Sequence, residues 1–317
     1  MTGQVGGISL KKRPILQLAP DYILKPMQSG NRGIREVAFY EANLVASVDA
    51  KNQGSSGRRS TLESLIGTWM SKRLLYDNIV ADSEKYEHHK VREQLLLARL
   101  VPFIPSYYGV LEYSPEQHGQ KDTSTYPYVV LQDLTSRFSK PCVMDIKVGT
   151  ETYEPDAPLE KQRREASKYP PQTVLGFRIV DMRIHDPHHP DGDALGFRMF
   201  GKALGRSLLT RSSVLEALRL FFSRRNSILQ LHRLVAKLKS LSTWFEDNDR
   251  LSFYASSILF VYEGDRQANK VDHVELKMID FGHVRRSSCG DKGYKIGLTT
   301  LLSLMEELLL DARTLER

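Results

Sequence analysis

The sequence predicts an α+β protein, built as one large domain or two closely joined lobes, on three observations. The chain has 317 residues with 41% hydrophobic content, longer than an average domain and apolar enough to bury a sizeable core. Short β-type runs such as Tyr128-Val-Val-Leu-Gln and Phe177 to Ile184 are interspersed with helical stripes such as Ser212 to Phe222 and Ile228 to Phe245. The third is Pro141-Cys-Val-Met-Asp145-Ile-Lys147-Val-Gly149, an otherwise apolar run with an acid and a base on alternate positions. Period-two alternation puts both side chains on one face of a strand, so Asp145 and Lys147 project together while Val143, Ile146 and Val148 help fill the core. An anion and a cation side by side can orient a hydroxyl, a metal and a phosphate at once, although Asp-x-Lys alone is also the pattern of a strand-end ion pair.

Along the chain, Tyr22-Ile-Leu-Lys25-Pro reads as a short strand carrying a lysine. Ile34 to Leu44 places Val37, Tyr40 and Leu44 at helical spacing, and Lys25 is positioned to meet Glu36 across that junction. Gly, Ser, Asn, Lys and Arg dominate from Ser47 to Ser60, an amphipathic helix is expected over Thr61 to Leu75, and Lys85 to His89 is too charged for a core; about 47–91 therefore reads as a surface insertion. A short helix follows at Leu95 to Leu100. Tyr107 to Glu112 and Tyr128 to Gln132 are strands around a polar loop, and Gln132-Asp133-Leu134 is a connector. After the Asp145 strand come a helix near Pro158 to Lys168, stopped by Pro170-Pro171, and the strand Phe177 to Ile184. Phe253 to Tyr262 and Val274 to Asp280 pair as strands, and Gly297 to about Ala312 is the last helix.

The formal charge of +7 attracts anions, whether nucleic acid, acidic membrane or small polyphosphates. Aromatic residues do not interleave with the basic runs as a stacking platform requires, so no nucleic-acid partner is expected. Two cysteines, Cys142 and Cys289, lack metal-type spacing and suit a reducing compartment. The start has no apolar stretch behind a basic one, and Glu306 and Glu307 interrupt the richest apolar run; neither signal peptide nor transmembrane segment is expected, and a cytoplasmic or nuclear monomer is. Lys11-Lys12-Arg13 and Arg58-Arg are too short to read as nuclear signals. His185, His188 and His189 stand in a turn-like Asp-Pro-His-His-Pro-Asp-Gly context and read as a solvated loop rather than a metal cluster.

Four elements recur in the order a nucleotide-dependent phosphotransferase uses them: strand lysine Lys25, connector Gln132 to Leu134, Asp145 with Lys147, and an acid closing an apolar strand in Ile279-Asp280-Phe-Gly. A carboxylate at such a strand end can reach a magnesium ion bridging phosphates. No His-Arg-Asp loop and no Gly-x-Gly-x-x-Gly loop is present, so an ordinary protein kinase is excluded.

On these residues the chain resembles the inositol polyphosphate kinase family. Pro-x-x-x-Asp-x-Lys-x-Gly is matched in full from Pro141 to Gly149, and the Ser-Ser-Leu-Leu-Phe box by Ser256-Ser257-Ile258-Leu259-Phe260. The Asp-Phe-Ala-His box is matched by Asp280-Phe281-Gly282-His283. Within the family, Tyr153-Glu-Pro-Asp-Ala, Ser167-Lys-Tyr-Pro and Trp244-Phe-Glu are similar to the multikinase branch. The resemblance implies a two-lobed, protein-kinase-like and ATP-grasp-related fold. Residues 1–134 would form the N-terminal lobe and hinge, and 135–317 the C-terminal lobe. It implies ATP and Mg²⁺ as cofactors and inositol polyphosphates, with phosphoinositide headgroups open, as partners. Lys25 would contact ATP phosphates, Gln132 and Leu134 adenine through their backbone, and Asp133 the ribose. Asp145 would be either the base for the attacking hydroxyl or a ribose ligand. Lys147 would touch that hydroxyl and the transferred phosphoryl group, and Asp280 would hold the metal. Arg32, Lys161, Lys168, Lys202 and His283 would bind substrate phosphates, Lys161 and Lys168 from one face of a helix because they lie two turns apart. The implied reaction is phosphorylation of inositol trisphosphate and tetrakisphosphate. Alternatives are a trisphosphate 3-kinase, a hexakisphosphate kinase, a phosphoinositide kinase or a non-catalytic scaffold. The short Tyr153 to Tyr169 segment leaves no room for the substrate-binding insertion expected of the 3-kinase branch.

Overall fold

The computed structural model describes residues 13–51, 86–114, 125–222, 227–265, 267–268 and 273–315. The helix expected over Thr61 to Leu75, Lys11 and Lys12, the Arg58 basic run and residues 115–124 of the polar loop lie outside them. Its contacts divide the chain into two compact units, one ending at Asp133 and the other running from Leu134 to the end.

The first unit is a four-stranded antiparallel sheet in the order β1-β2-β4-β3, made of β1 (Leu16–Ala19), β2 (Tyr22–Pro26), β3 (Tyr107–Tyr113) and β4 (Tyr126–Gln132). Leu24, Tyr128 and Val130 form its buried cluster. Helices α1 (Asn31–Lys51) and α2 (Tyr86–Leu100) pack on each other, and α1 on β3, bringing Val37 and Tyr40 into the core. The charged stretch from Lys85, expected to be surface insertion, begins helix α2 at Tyr86. That helix buries its later residues Leu96, Leu97 and Leu100.

The second unit is built on a five-stranded antiparallel sheet in the order β10-β9-β5-β6-β7. Its strands are β5 (Pro141–Val148), β6 (Phe177–His185), β7 (Phe197–Phe200), β9 (Ser257–Glu263) and β10 (Val274–Ile279). Cys142, Met144, Ile146 and Val148 occupy one face of β5 and are buried, Val148 against the last helix, α8 (Lys292–Leu315). Between α6 (Arg211–Phe221) and α8, α7 (Ser227–Asp247) packs on both α8 and β10. The opposite face of β5 carries Val143, Asp145 and Lys147, as the period-two reading requires.

Phe253 to Tyr262 is not one strand. Leu251–Phe253 forms β8, paired with β11 (Val284–Arg286), and the chain turns at Ala255, a non-glycine residue at φ 55°, before β9 begins. The helix expected to reach Lys168, α3, spans Leu159–Ala166, and Lys168 lies in the following turn, its N–H donating to the Glu165 carbonyl at 3.3 Å. Two short helices, α4 (Gln172–Leu175) and α5 (Lys202–Ser207), complete the unit. His185 is not in a solvated loop: it ends β6, is buried and meets the Gly264 carbonyl at 3.3 Å.

The final helix starts five residues before the expected Gly297, because Asp291 caps it. The Asp291 carboxylate accepts from Tyr294 N at 2.8 Å and from Phe253 N at 2.6 Å, tying α8 to β8. Around that cap Trp244, Phe245, Phe253, Phe281 and Tyr294 are fully buried, with Phe245 and Tyr294 stacked 4.2 Å apart.

Candidate active site

Strand register assembles the site in the second unit. Asp145 pairs across β9 with Leu259 and Lys147 with Ser257, while Ser257 pairs in turn with Ile279 at the end of β10. Asp280 follows that residue, so it lies two strands from Lys147, about 10 Å by ordinary strand spacing. Phe281 is buried in the aromatic cluster against Phe253, which anchors the tetrapeptide. Asp280 adopts the left-handed conformation, φ 67°, uncommon for a non-glycine residue. The same device recurs at Ala255, whose carbonyl accepts from Lys147 Nζ at 2.5 Å. Gly149, closing the signature, sits at φ 110°, which an L side chain rarely adopts, and its N–H donates to the Gly176 carbonyl at 2.7 Å.

Lys147 and Asp280 both lie within electrostatic range of Asp145. Burial raises the Asp145 carboxyl to about 6; Lys147 opposes the shift, Asp280 adds to it, Ser257 opposes it and Asp181 adds to it. Asp145 Oδ1 is buried without a hydrogen-bond partner among the described residues, and so is the Ser257 hydroxyl oxygen. A buried acceptor left open next to an ammonium is unusual in a structural ion pair and suits an acceptor awaiting a ligand. Asp145 and Asp280 supply hard oxygen donors, and magnesium commonly takes one or two carboxylates together with substrate phosphates, so this donor set fits that ion.

A second cluster surrounds Glu154, a buried acid on the loop before α3. Its carboxylate lies 2.8 Å from the Arg285 guanidinium, 3.2 Å from His283 Nδ1 and 3.6 Å from Lys161 Nζ. Burial works against ionisation, but His283 and Arg285 outweigh it and hold the carboxyl at about 2. His283 and Lys161, from opposite ends of the second unit's sequence, are therefore brought together by an acid the sequence reading missed. Lys168 pairs elsewhere, 2.6 Å from Glu165, whose carboxyl is held low by Lys168, Arg164 and Arg178 against the effect of burial. Lys202 opens α5 and is exposed; its charge acts on the buried Asp181, whose carboxyl burial pushes up.

Two unpredicted residues share the Asp145 face. Asp181 pairs with Asp145 and Arg178 with Lys147 across β6, on the two sides of a register shift. Burial draws the Arg178 guanidinium below its ordinary value, against the pull of Glu165 and with the repulsion of Arg206. A charge inside an apolar strand singled out Asp145 and Lys147; Phe177-Arg178-Ile179 carries the same mark. Glu154 and Arg285 had no such signal, being loop and short-strand residues far apart in sequence.

In the first unit, Lys25 is ion-paired with Glu36, which is fully buried, and Gln28 Nε2 lies 3.5 Å from the other Glu36 oxygen. The pair expected across the strand–helix junction is present. Arg32, the second residue of α1, is exposed. At the end of β4, Gln132 N–H donates to the Ser106 carbonyl at 2.9 Å and Asp133 N–H to the Asp21 carbonyl at 2.8 Å. Leu134, buried, opens the second unit.

The inositol polyphosphate kinase family model matches residues 128–306, which include every element of the second-unit site. The chain belongs to the inositol polyphosphate kinase family. Inositol polyphosphate multikinase of Homo sapiens is 30% identical over 258 residues, covering 80% of this chain and 48% of that protein. The Rattus norvegicus multikinase is 34% identical over 177 residues, covering 54% of this chain and 41% of that protein. Inositol hexakisphosphate kinase 2 of Oryctolagus cuniculus is more distant, 28% identical over 61% of this chain. The chain thus spans about half the length, or less, of the mammalian multikinases it matches. A crystal structure of inositol phosphate multikinase from S. cerevisiae, in complex with ADP and Mn²⁺, shares the fold with a TM-score of 0.61 at 22% identity, covering 91% of this chain and 99% of that one. The α+β kinase fold implied by the motifs is the fold observed.

Among the described residues no helix is long and apolar enough to cross a membrane.

Proposed function

We propose that the chain is an ATP- and Mg²⁺-dependent kinase that phosphorylates hydroxyls of inositol trisphosphate and tetrakisphosphate. The observation that carries this is the shared face of Asp145 and Lys147, with Asp280 close enough to raise the Asp145 carboxyl. Relatives at 30–34% identity are multikinases, and the yeast protein that shares the fold was crystallised with ADP and Mn²⁺.

In this reading residues 1–134 carry the nucleotide lobe and hinge, and 135–317 the substrate lobe. Lys25, fixed by Glu36, contacts ATP phosphates. Gln132 and Leu134 present backbone to adenine, which a Gln in place of the family's usual Glu does not impair, and Asp133 faces the ribose. Asp280, which precedes the buried Phe281, would hold Mg²⁺, and the ion would neutralise charge on the nucleotide phosphates. Asp145, whose carboxyl burial raises to about 6, either takes the proton of the attacking hydroxyl or accepts a hydrogen bond from the ribose. Lys147 orients the acceptor hydroxyl and offsets charge on the transferred group. Lys161, Lys168, Lys202, His283 and Arg32 bind ring phosphates. Glu154 keeps Lys161 and His283 positioned, and most of the rate enhancement comes from placement and electrostatics.

The test is product analysis. Purified protein with Mg²⁺ and ATP is expected to convert inositol trisphosphate stepwise to the pentakisphosphate, as separated by ion-exchange chromatography. Lipid-borne headgroups in vesicles are assayed alongside, because they present the same ring. Transfer to none of these substrates would remove the proposal.

A further inference from the structure

One cation on the site face has no hydrogen-bond or ion-pair partner among the described residues. Arg178 stands on β6 directly across from Lys147 and is half-buried. Among the described residues it makes neither a hydrogen bond nor an ion pair. Glu165, Arg206, Asp145 and Tyr169 surround it only at electrostatic range. A guanidinium offers five N–H donors, and leaving them unmet in a partly desolvated place is unfavourable. Glu165 is already engaged, with Lys168 Nζ 2.6 Å from both its oxygens, and Asp145 acts on Arg178 only at electrostatic range.

Arg206 increases the imbalance. Its helix α5 is held against β6 by Gly205, where an added Cβ would fall 1.9 Å from the Ile179 carbonyl oxygen. Only glycine allows that approach, and Arg206, the next residue and exposed, lies within electrostatic range of Arg178. Two guanidinium groups fixed near each other repel unless an anion lies between them.

We propose that Arg178, together with Arg206, holds the ring phosphate next to the hydroxyl served by Lys147, and thereby determines which inositol phosphates are accepted. This rests on the kinase reading given above. Directly opposed residues on antiparallel strands have Cβ atoms about 5 Å apart, a spacing that suits neighbouring substituents of one six-membered ring. The planar fork of arginine matches phosphate oxygens two at a time, which a lysine cannot reproduce.

Steady-state kinetics and calorimetric binding on the full chain test it, using inositol trisphosphate and each bisphosphate obtained by removing one phosphate. Arg178→Leu is expected to raise KM and Kd for the trisphosphate roughly 10- to 100-fold, with the effect falling on substrate rather than on the KM for ATP. Arg206→Ala gives a smaller rise, and Arg178→Lys recovers part of the loss. For the one bisphosphate that lacks the contacted phosphate, the penalty disappears. A penalty equal for every bisphosphate, or a fall in kcat at constant KM, overturns the proposal. Should Arg178→Leu fail to fold, Arg178→Lys and Arg206→Ala carry the same comparison. A parent protein that neither binds nor phosphorylates any inositol phosphate overturns the kinase reading instead. One that does both, with Arg178→Leu behaving identically, overturns only this inference.

Discussion

Replacing Asp145 with Asn should stabilise the folded protein, and more so as pH rises. Burial and the neighbouring acids raise the carboxyl from 3.8 to about 6, so the folded state holds its proton more tightly than the unfolded chain does. A carboxyl shifted upward costs nothing below its unfolded pKa and an increasing amount as pH climbs through the folded value. With 3.8 and about 6 as the two constants, linkage gives a cost of about 2 kcal/mol at pH 5 and about 3 kcal/mol at pH 8. Asn has nothing to ionise, so Asp145→Asn should gain on the parent by roughly 1 kcal/mol between those two pH values. Titrating groups that are not coupled to Asp145 are common to both proteins and cancel in the difference. Urea unfolding of nucleotide-free protein at pH 5 and pH 8 reads this directly. A stability difference that is flat with pH, or that grows on acidification, would refute the assignment of Asp145 as a buried, uncompensated acid. The same substitution should abolish turnover, separating its functional value from its structural cost.

Three further substitutions test the contacts. Glu154→Gln should lower stability by roughly 1–3 kcal/mol at neutral pH, because its carboxyl is held near 2; the loss should shrink as pH falls from 4.5 toward 2, as parallel denaturation curves will show. The same variant should raise KM for inositol phosphate, since Lys161 and His283 lose their common anchor. Asp291→Ala removes the cap of α8 and leaves Phe253 N–H unpaired, and should cost roughly 2–3 kcal/mol in urea unfolding. Gly205→Ala drives a methyl group into the Ile179 carbonyl and should displace α5, raising substrate KM with a loss of about 2 kcal/mol or more.

Much of the site was legible because its chemistry sits in strands. In β5 an acid and a base interrupt an apolar run at period two, and one burial pattern follows from that alternation. Lys25 and Glu36 were likewise readable, a strand lysine facing the first helix. The expected strand from Phe253 failed at Tyr254 to Ser256 because its residues suit a strand locally. What breaks it is a tertiary demand, the left-handed turn at Ala255 that delivers a carbonyl to Lys147. The reach of α3 was overestimated for a similar reason: Lys168 has the right spacing, but the chain leaves the helix at Ser167 to enter Tyr169-Pro170-Pro171. Glu154 and Arg285 were invisible because an ion pair between a loop and a three-residue strand leaves no periodic trace. Arg178 carried the same signal as Asp145 and was passed over only because it belonged to no motif.

The central claim is that Asp145, Lys147 and Asp280 form one phosphoryl-transfer site, and single-turnover transfer from labelled ATP to inositol trisphosphate measures it most directly. Lys147→Ala and Asp280→Asn, each folded by circular dichroism, are expected to slow the transfer step by at least about a hundredfold, the scale of losing one charge-stabilising group in a transition state. Transfer at the parental rate in either variant would contradict the account.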